Sequence, residues 1–133
     1  MTGRGLKNIL GDWAPVLAWC SLIFYLSSVQ NLKTDFGGPI DFILRKGAHV
    51  TEYVILFLLS RRAYANSSGG GSGSATVIFA AIFSVLYAAS DEYHQSFVPT
   101  RGPSVADVGI DCAGVAVGYL IYWAARKHLR AEK

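Results

Sequence analysis

Residues 75–95 read ATVIFAAIFSVLYAASDEYHQ, in which sixteen residues without a formal charge run directly into Asp91, Glu92 and His94. An apolar run of that length, with its polar end included, reaches the ~20 residues that a helix needs to cross a hydrocarbon core. Ionisable groups beside hydrocarbon are costly and persist mainly when paired, hydrated or in use. The stretch therefore predicts a membrane helix that carries a polar site at one end.

Three further runs flank it. Trp13–Val29 (WAPVLAWCSLIFYLSSV) has no charge, Ile40–Ser60 is apolar through its later part, and Val105–Ala125 carries Asp107 and Asp111 near its start. Backbone polar groups in lipid must be satisfied internally, which a helical bundle achieves. The expected fold is all-α, a polytopic membrane protein with one domain over residues 1–133 and four transmembrane helices. Charged residues make up only 16% of the chain, against about 25% in soluble domains. That deficit points to a multi-pass protein of the cell membrane, with the lipid bilayer as its first partner and no nucleic-acid partner. Arg4 and Lys7 precede the first run, but no small-residue cleavage site follows it, so it reads as a retained helix. Cys20 and Cys112 lie in apolar runs and read as small hydrophobes. Asn66–Ser74 (NSSGGGSGS) reads as a flexible loop joining two helical hairpins.

Orientation follows from lysine and arginine in the loops. Arg4, Lys7, Arg61, Arg62, Arg126, Lys127, Arg130 and Lys133 fall on one side, against Lys33, Arg45, Lys46 and Arg101 on the other. This balance places both termini in the cytoplasm. The acidic residues Asp91, Glu92, Asp107 and Asp111 then gather at the outer face.

Helical spacing arranges those polar groups into faces. Lys46, His49 and Tyr53 share one face of the second helix, bordered by Glu52. Asp91, His94 and Gln95 share a face of the third, with Glu92 turned off it toward solvent or the loop. Asp107, Asp111, Gly114 and Gly118 share a face of the fourth, where the glycines permit close approach of another helix, in this chain or in a second copy. Together they predict an outward-facing pocket with Lys46, His49 and Glu52 on one wall, Asp91, His94 and Gln95 on the second, and Asp107 and Asp111 on the third. Arg101 caps it from a loop stiffened by Pro99 and Pro103.

Three patterns resemble the VanZ-like family of small membrane proteins: Lys46-x-x-His49-x-x-x-Tyr53; Asp91-Glu92-x-His94-Gln95-x-Phe97-x-Pro99-x-Arg101; and Asp107-x-x-x-Asp111-x-x-Gly114-x-x-x-Gly118. Tyr25-Leu26-Ser27-Ser28 is also similar to that family. The likeness spans about Trp13 to Trp123, although at the position of Asp111 the family often carries asparagine. The resemblance implies a cell-envelope protein and a link to resistance against teicoplanin, a lipid-tailed glycopeptide antibiotic.

The residues leave three functions open. As an enzyme acting on a lipid-linked or anionic lipid substrate at the outer leaflet, the chain would use His49 or His94 as base, oriented by Asp91 or Glu52. Lys46, Tyr53, Gln95, Arg101, Asp107 and Asp111 would then bind substrate, as a hydrolase or transferase requires. As a non-catalytic binder it would hold a lipid head group or lipid-tailed antibiotic on the same cations. As a structural network it would pair Lys46 or Arg101 with Asp91, and His49 with Glu52. The histidine and carboxylate spacing matches no metal motif, so neither metal nor cofactor is expected.

Overall fold

The computed structural model describes residues 5–29, 36–71, 73–102 and 104–132. Arg4, Lys33, Pro103 and Lys133, which entered the expectations on loop charge and loop stiffness, lie outside them. Four helices form: α1 Leu6–Ser28, α2 Gly38–Ser67, α3 Ser74–Gln95 and α4 Val105–Ala131. Each coincides with one of the apolar runs, α1 stopping one residue short of Val29, and extends beyond it into polar sequence at one end or both. Local chemistry sets several ends. Pro39 lies in the first turn of α2 and Asp41 follows, so a missing N–H and a negative charge sit where a helix start favours them. Ser104 caps α4 by accepting from the Asp107 N–H, and His128 and Arg130 occupy its last turn. Inside the helices Ser21, Ser28, Thr51 and Ser60 return their hydroxyls to carbonyls one turn back, so these groups need no partner from lipid. The Gly/Ser connection is shorter than its composition suggests. Asn66 and Ser67 belong to α2, where Asn66 donates to Asp12 at 2.8 Å.

Side-chain cross-links fix the packing. Trp13 Nε1 donates to Ser67 Oγ and Trp19 Nε1 to the Glu52 carbonyl, both at 2.9 Å, so α1 and α2 run antiparallel. The Tyr87 hydroxyl donates to the Cys20 carbonyl at 2.6 Å and joins α3 to α1. Lys46 meets Asp107, His49 meets Asp111, and the Arg61 guanidinium lies 3.8 Å from the Tyr122 ring centre. Numbers rise together along that seam, so α2 and α4 are parallel. Among the described residues α1 and α4 do not touch, whereas α2 packs on all three other helices.

Two glycines set the α2–α4 spacing. A Cβ on Gly114 would lie 2.5 Å from the Val50 carbonyl oxygen, and one on Gly118 would lie 3.0 Å from Phe57 Cδ1. Both glycines are buried. The expectation of a homo-oligomer through Gly114 and Gly118 is therefore corrected: that face is occupied by α2 of the same chain.

Burial is inverted relative to a soluble bundle. Leu17, Phe24, Ile78, Leu86 and Leu120 are exposed, while Ser60, Thr76, Ser84, Asp91, Gln95 and Asp111 are buried. An apolar surface of this extent requires lipid. Helices α1, α3 and α4 are long and apolar enough to cross a membrane, and the chain is a multi-pass membrane protein. The second run, expected to be a fourth spanning helix of the same kind, is not among them. Asp41, Arg45, Lys46 and Glu52 near one end and Arg61 and Arg62 near the other make it too polar, and its later part, from Tyr53 to Ala65, buries side chains against its neighbours instead.

Candidate functional site

The start of α2 carries polar groups on two adjoining faces. Lys46, His49 and Tyr53 turn toward α4, where Lys46 forms an ion pair with Asp107. His49 Nδ1 lies 3.0 Å from Asp111 Oδ1, and that carboxylate is only 1% exposed. Tyr53 is fully buried below them, with no hydrogen-bond partner for its hydroxyl among the described residues.

The other face of α2 borders a cleft of about 170 Å3. Leu44, Arg45, Ala48, His49 and Glu52 contribute from α2, Ile23, Leu26 and Ser27 from α1, Asp91 and Gln95 from α3, and Arg101 from the α3–α4 loop. Buried Asp91 is held by Gln95, whose Nε2 donates to Oδ2 at 3.0 Å, while Oδ1 has no partner among the described residues. No hydrogen bond or ion pair to the Glu52 side chain occurs among the described residues; its backbone carbonyl is the group that receives Trp19. Arg45 is tied to Asp41 at 3.0 Å, and Arg101 Nη1 donates to the Ser27 carbonyl at 3.2 Å.

A second, more polar cleft of about 200 Å3 lies alongside, bordered by Phe42, Lys46, Thr100, Gly102 and Asp107. The two share Arg45, His49, Gln95 and Arg101. The Ser104 N–H donates to the Glu92 carboxylate, which ties the loop's far end to α3. Among the described residues Thr100 is the one non-glycine residue with positive φ, at 72°, a conformation that a β-branched residue resists. Such strain is worth about 1–3 kcal/mol and persists where surroundings impose it. Thr100→Gly is therefore expected to raise thermal stability in detergent by about 1 kcal/mol while weakening any ligand contact made by Arg101. An unchanged or lowered melting point would show that the backbone at Thr100 is not strained.

The structure brings together His49, Glu52, Asp91, Gln95 and Arg101 at one cleft, and Lys46 and Asp107 at the next. Three expectations are corrected. His94 lies outside both clefts, 4.3 Å from the Phe24 ring and 2.9 Å from Ser28 Oγ, because its position on α3 turns it toward α1. Asp111 borders neither cleft and lies behind His49, in contact with its Nδ1. The pairings Lys46 or Arg101 with Asp91, and His49 with Glu52, do not form; Asp107, the Ser27 carbonyl and Asp111 take those partners instead. Arg45, Ala48 and Ser27 are additional lining residues. Arg45, His49 and Glu52 follow a four-then-three spacing, so that stripe was readable in sequence; which stripe faced the cavity was not. Among the described residues no three His, Cys, Asp or Glu side chains converge as metal ligands would.

A family model described as VanZ/LLP1 matches residues 12–126, which takes in α2, α3, most of α1 and α4, and every residue that lines the two clefts. The chain belongs to the VanZ/LLP1 family. No curated protein and no solved structure matches it. In this VanZ/LLP1 chain the clefts hold a paired histidine, two arginines and a glutamate with no side-chain partner among the described residues, whose chemistry must be argued from their positions.

Proposed function

We propose that this VanZ/LLP1 protein is a hydrolase or transferase for a lipid-linked or anionic lipid substrate, with His49 as general base. The observation that carries this is the contact between His49 Nδ1 and buried Asp111, with the imidazole bordering both clefts. A carboxylate on one ring nitrogen fixes the tautomer and orientation and leaves Nε2 to take a proton. Arg45 and Arg101 hold the anionic centre. In the step, a water or hydroxyl oxygen gives its proton to His49 and bonds to that centre. The bond to the leaving oxygen breaks, and Glu52, entering in its protonated form, supplies the proton that this oxygen takes up. Asp91 and Gln95 position the reacting group from α3. The lysine and arginine distribution supports cytoplasmic termini and a site at the outer leaflet of the cell membrane.

A second reading, a structural polar network without turnover, is favoured by the pairing of Lys46, Arg45 and His49 with acidic partners. The two are separated by comparing lipids and cell-wall precursors from cells that express wild type or His49→Gln at equal membrane levels. Removing a general base typically lowers turnover by about 10^2–10^4-fold, so the class altered by wild type is expected to return to background in the variant. Identical profiles would sink the turnover reading. The family link supports a further expectation, that expression protects cells from a lipid-tailed glycopeptide more than from one without the tail.

A further inference from the structure

The two clefts differ in what borders them, and that difference says how a ligand reaches the site. Leu26, Leu44 and Ala48 flank the first; Leu44 and Ala48 are exposed on the outside of the bundle, where its surface is apolar. Lys46, Thr100 and Asp107 flank the second. We propose that the site has one mouth to lipid, between α1 and α2, and one to water. It takes laterally an amphiphile in which a single anionic group joins an apolar tail to a polar head. This rests on the same cleft as the proposed function but does not require turnover.

Volume supports the division. About 170 Å3 is roughly half the ~300 Å3 lower bound of sites that enclose a whole small ligand. Only the junction of tail and head fits inside; the remainder extends through the mouths. The residues common to both clefts include Arg45 and Arg101. Arg45 engages Asp41 through Nε and Arg101 engages the Ser27 carbonyl through Nη1, so each guanidinium has further N–H groups for an anion. Glu52 lies two turns beyond Arg45, about 10 Å along the axis between backbone positions, and its side chain lines the same cleft from that level. Ala48 stands between those levels, and its methyl group leaves the gap beside α1 unfilled.

The test uses the full chain in phosphatidylcholine nanodiscs, with Cys20 and Cys112 replaced by alanine and a single thiol introduced as Ala48→Cys or, separately, Leu44→Cys. A charged, water-soluble thiosulfonate is expected to modify Ala48→Cys through the aqueous mouth. Dodecyl phosphate at a few times its dissociation constant is expected to slow modification about fivefold by occupancy. Inorganic phosphate at the same concentration should leave the rate unchanged, and Arg45→Gln with Arg101→Gln should abolish the protection. Four results would overturn the proposal: no modification at either thiol, equal rates with and without dodecyl phosphate, protection by inorganic phosphate, or protection that survives loss of both arginines. If Ala48→Cys fails to fold, Leu44→Cys decides alone. Turnover does not enter this measurement, so failure here is distinct from failure of the His49→Gln lipid comparison.

Discussion

Gly114→Ala is expected to destabilise the bundle by about 2–3 kcal/mol, near the upper end for overpacking a filled site. Alanine ordinarily stabilises a helix by up to about 1 kcal/mol relative to glycine, so this substitution reverses the usual sign. The reason is the nature of the obstacle. The new Cβ would stand 2.5 Å from the Val50 carbonyl oxygen and 3.1 Å from Tyr53 Cβ. A backbone oxygen cannot swing aside as a side-chain tip can, so α4 must move away from α2. That movement pulls Asp111, just under one turn earlier, away from His49. At Gly118 the nearest atom belongs to the Phe57 side chain at 3.0 Å, and the penalty should be smaller. Gly109 has nothing within 4 Å, so Gly109→Ala should be neutral or stabilising. Melting in detergent of all three variants checks the order. If Gly114→Ala is as stable as Gly109→Ala, the α2–α4 seam is not packed as described.

Asp111→Ala is expected to cost about 3 kcal/mol, the lower end for removing one member of a buried charged pair, and to abolish any turnover that depends on His49. Without the carboxylate the imidazole, itself mostly buried, has nothing to hold its Nδ1. Asp111→Asn keeps an oxygen that can accept from Nδ1–H, so its stability loss should stay below about 1 kcal/mol. It removes the negative charge that favours a protonated imidazole during reaction, so turnover should still fall by about tenfold or more. Stability in detergent and lipid product per folded protein are the two readouts. Equal stability of the alanine and asparagine variants would mean that the contact contributes nothing to the fold.

Although α2 is too polar to match the expected spanning type, the existence of every helix was legible from hydropathy, because lipid imposes long apolar runs. Their ends were not. Hydropathy measures what hydrocarbon tolerates, whereas a helix continues wherever backbone and side chains permit. Thus α1 begins at Leu6, ahead of Lys7 and Asp12, and α2 passes Arg61 and Arg62 to reach Ser67. Spacing placed His49 and Glu52 near one another and Asp107 in line with Asp111. It could not rank Lys46–His49–Tyr53 against Arg45–His49–Glu52 as the cavity stripe, because His49 belongs to both. That choice depends on α2 lying against α1, α3 and α4 at once, which no single-helix pattern encodes. His94 was misplaced for the same reason: its stripe with Asp91 is sound, but α1 lies closer to it than the cleft does.

The parallel seam between α2 and α4 also orders events during synthesis. Chains emerge from the ribosome N-terminus first, so α2 is made well before the helix that neutralises it. Until α4 arrives, Lys46 lacks Asp107, His49 lacks Asp111, and the Val50 and Val54 carbonyls have no glycine face against them. The least apolar helix of the bundle must therefore wait, through the synthesis of α3 and the loop at residues 96–104, for α4. Truncation within α4 thus reaches backward: it strands α2 as a charged helix beside lipid and makes the nascent protein a substrate for membrane quality control.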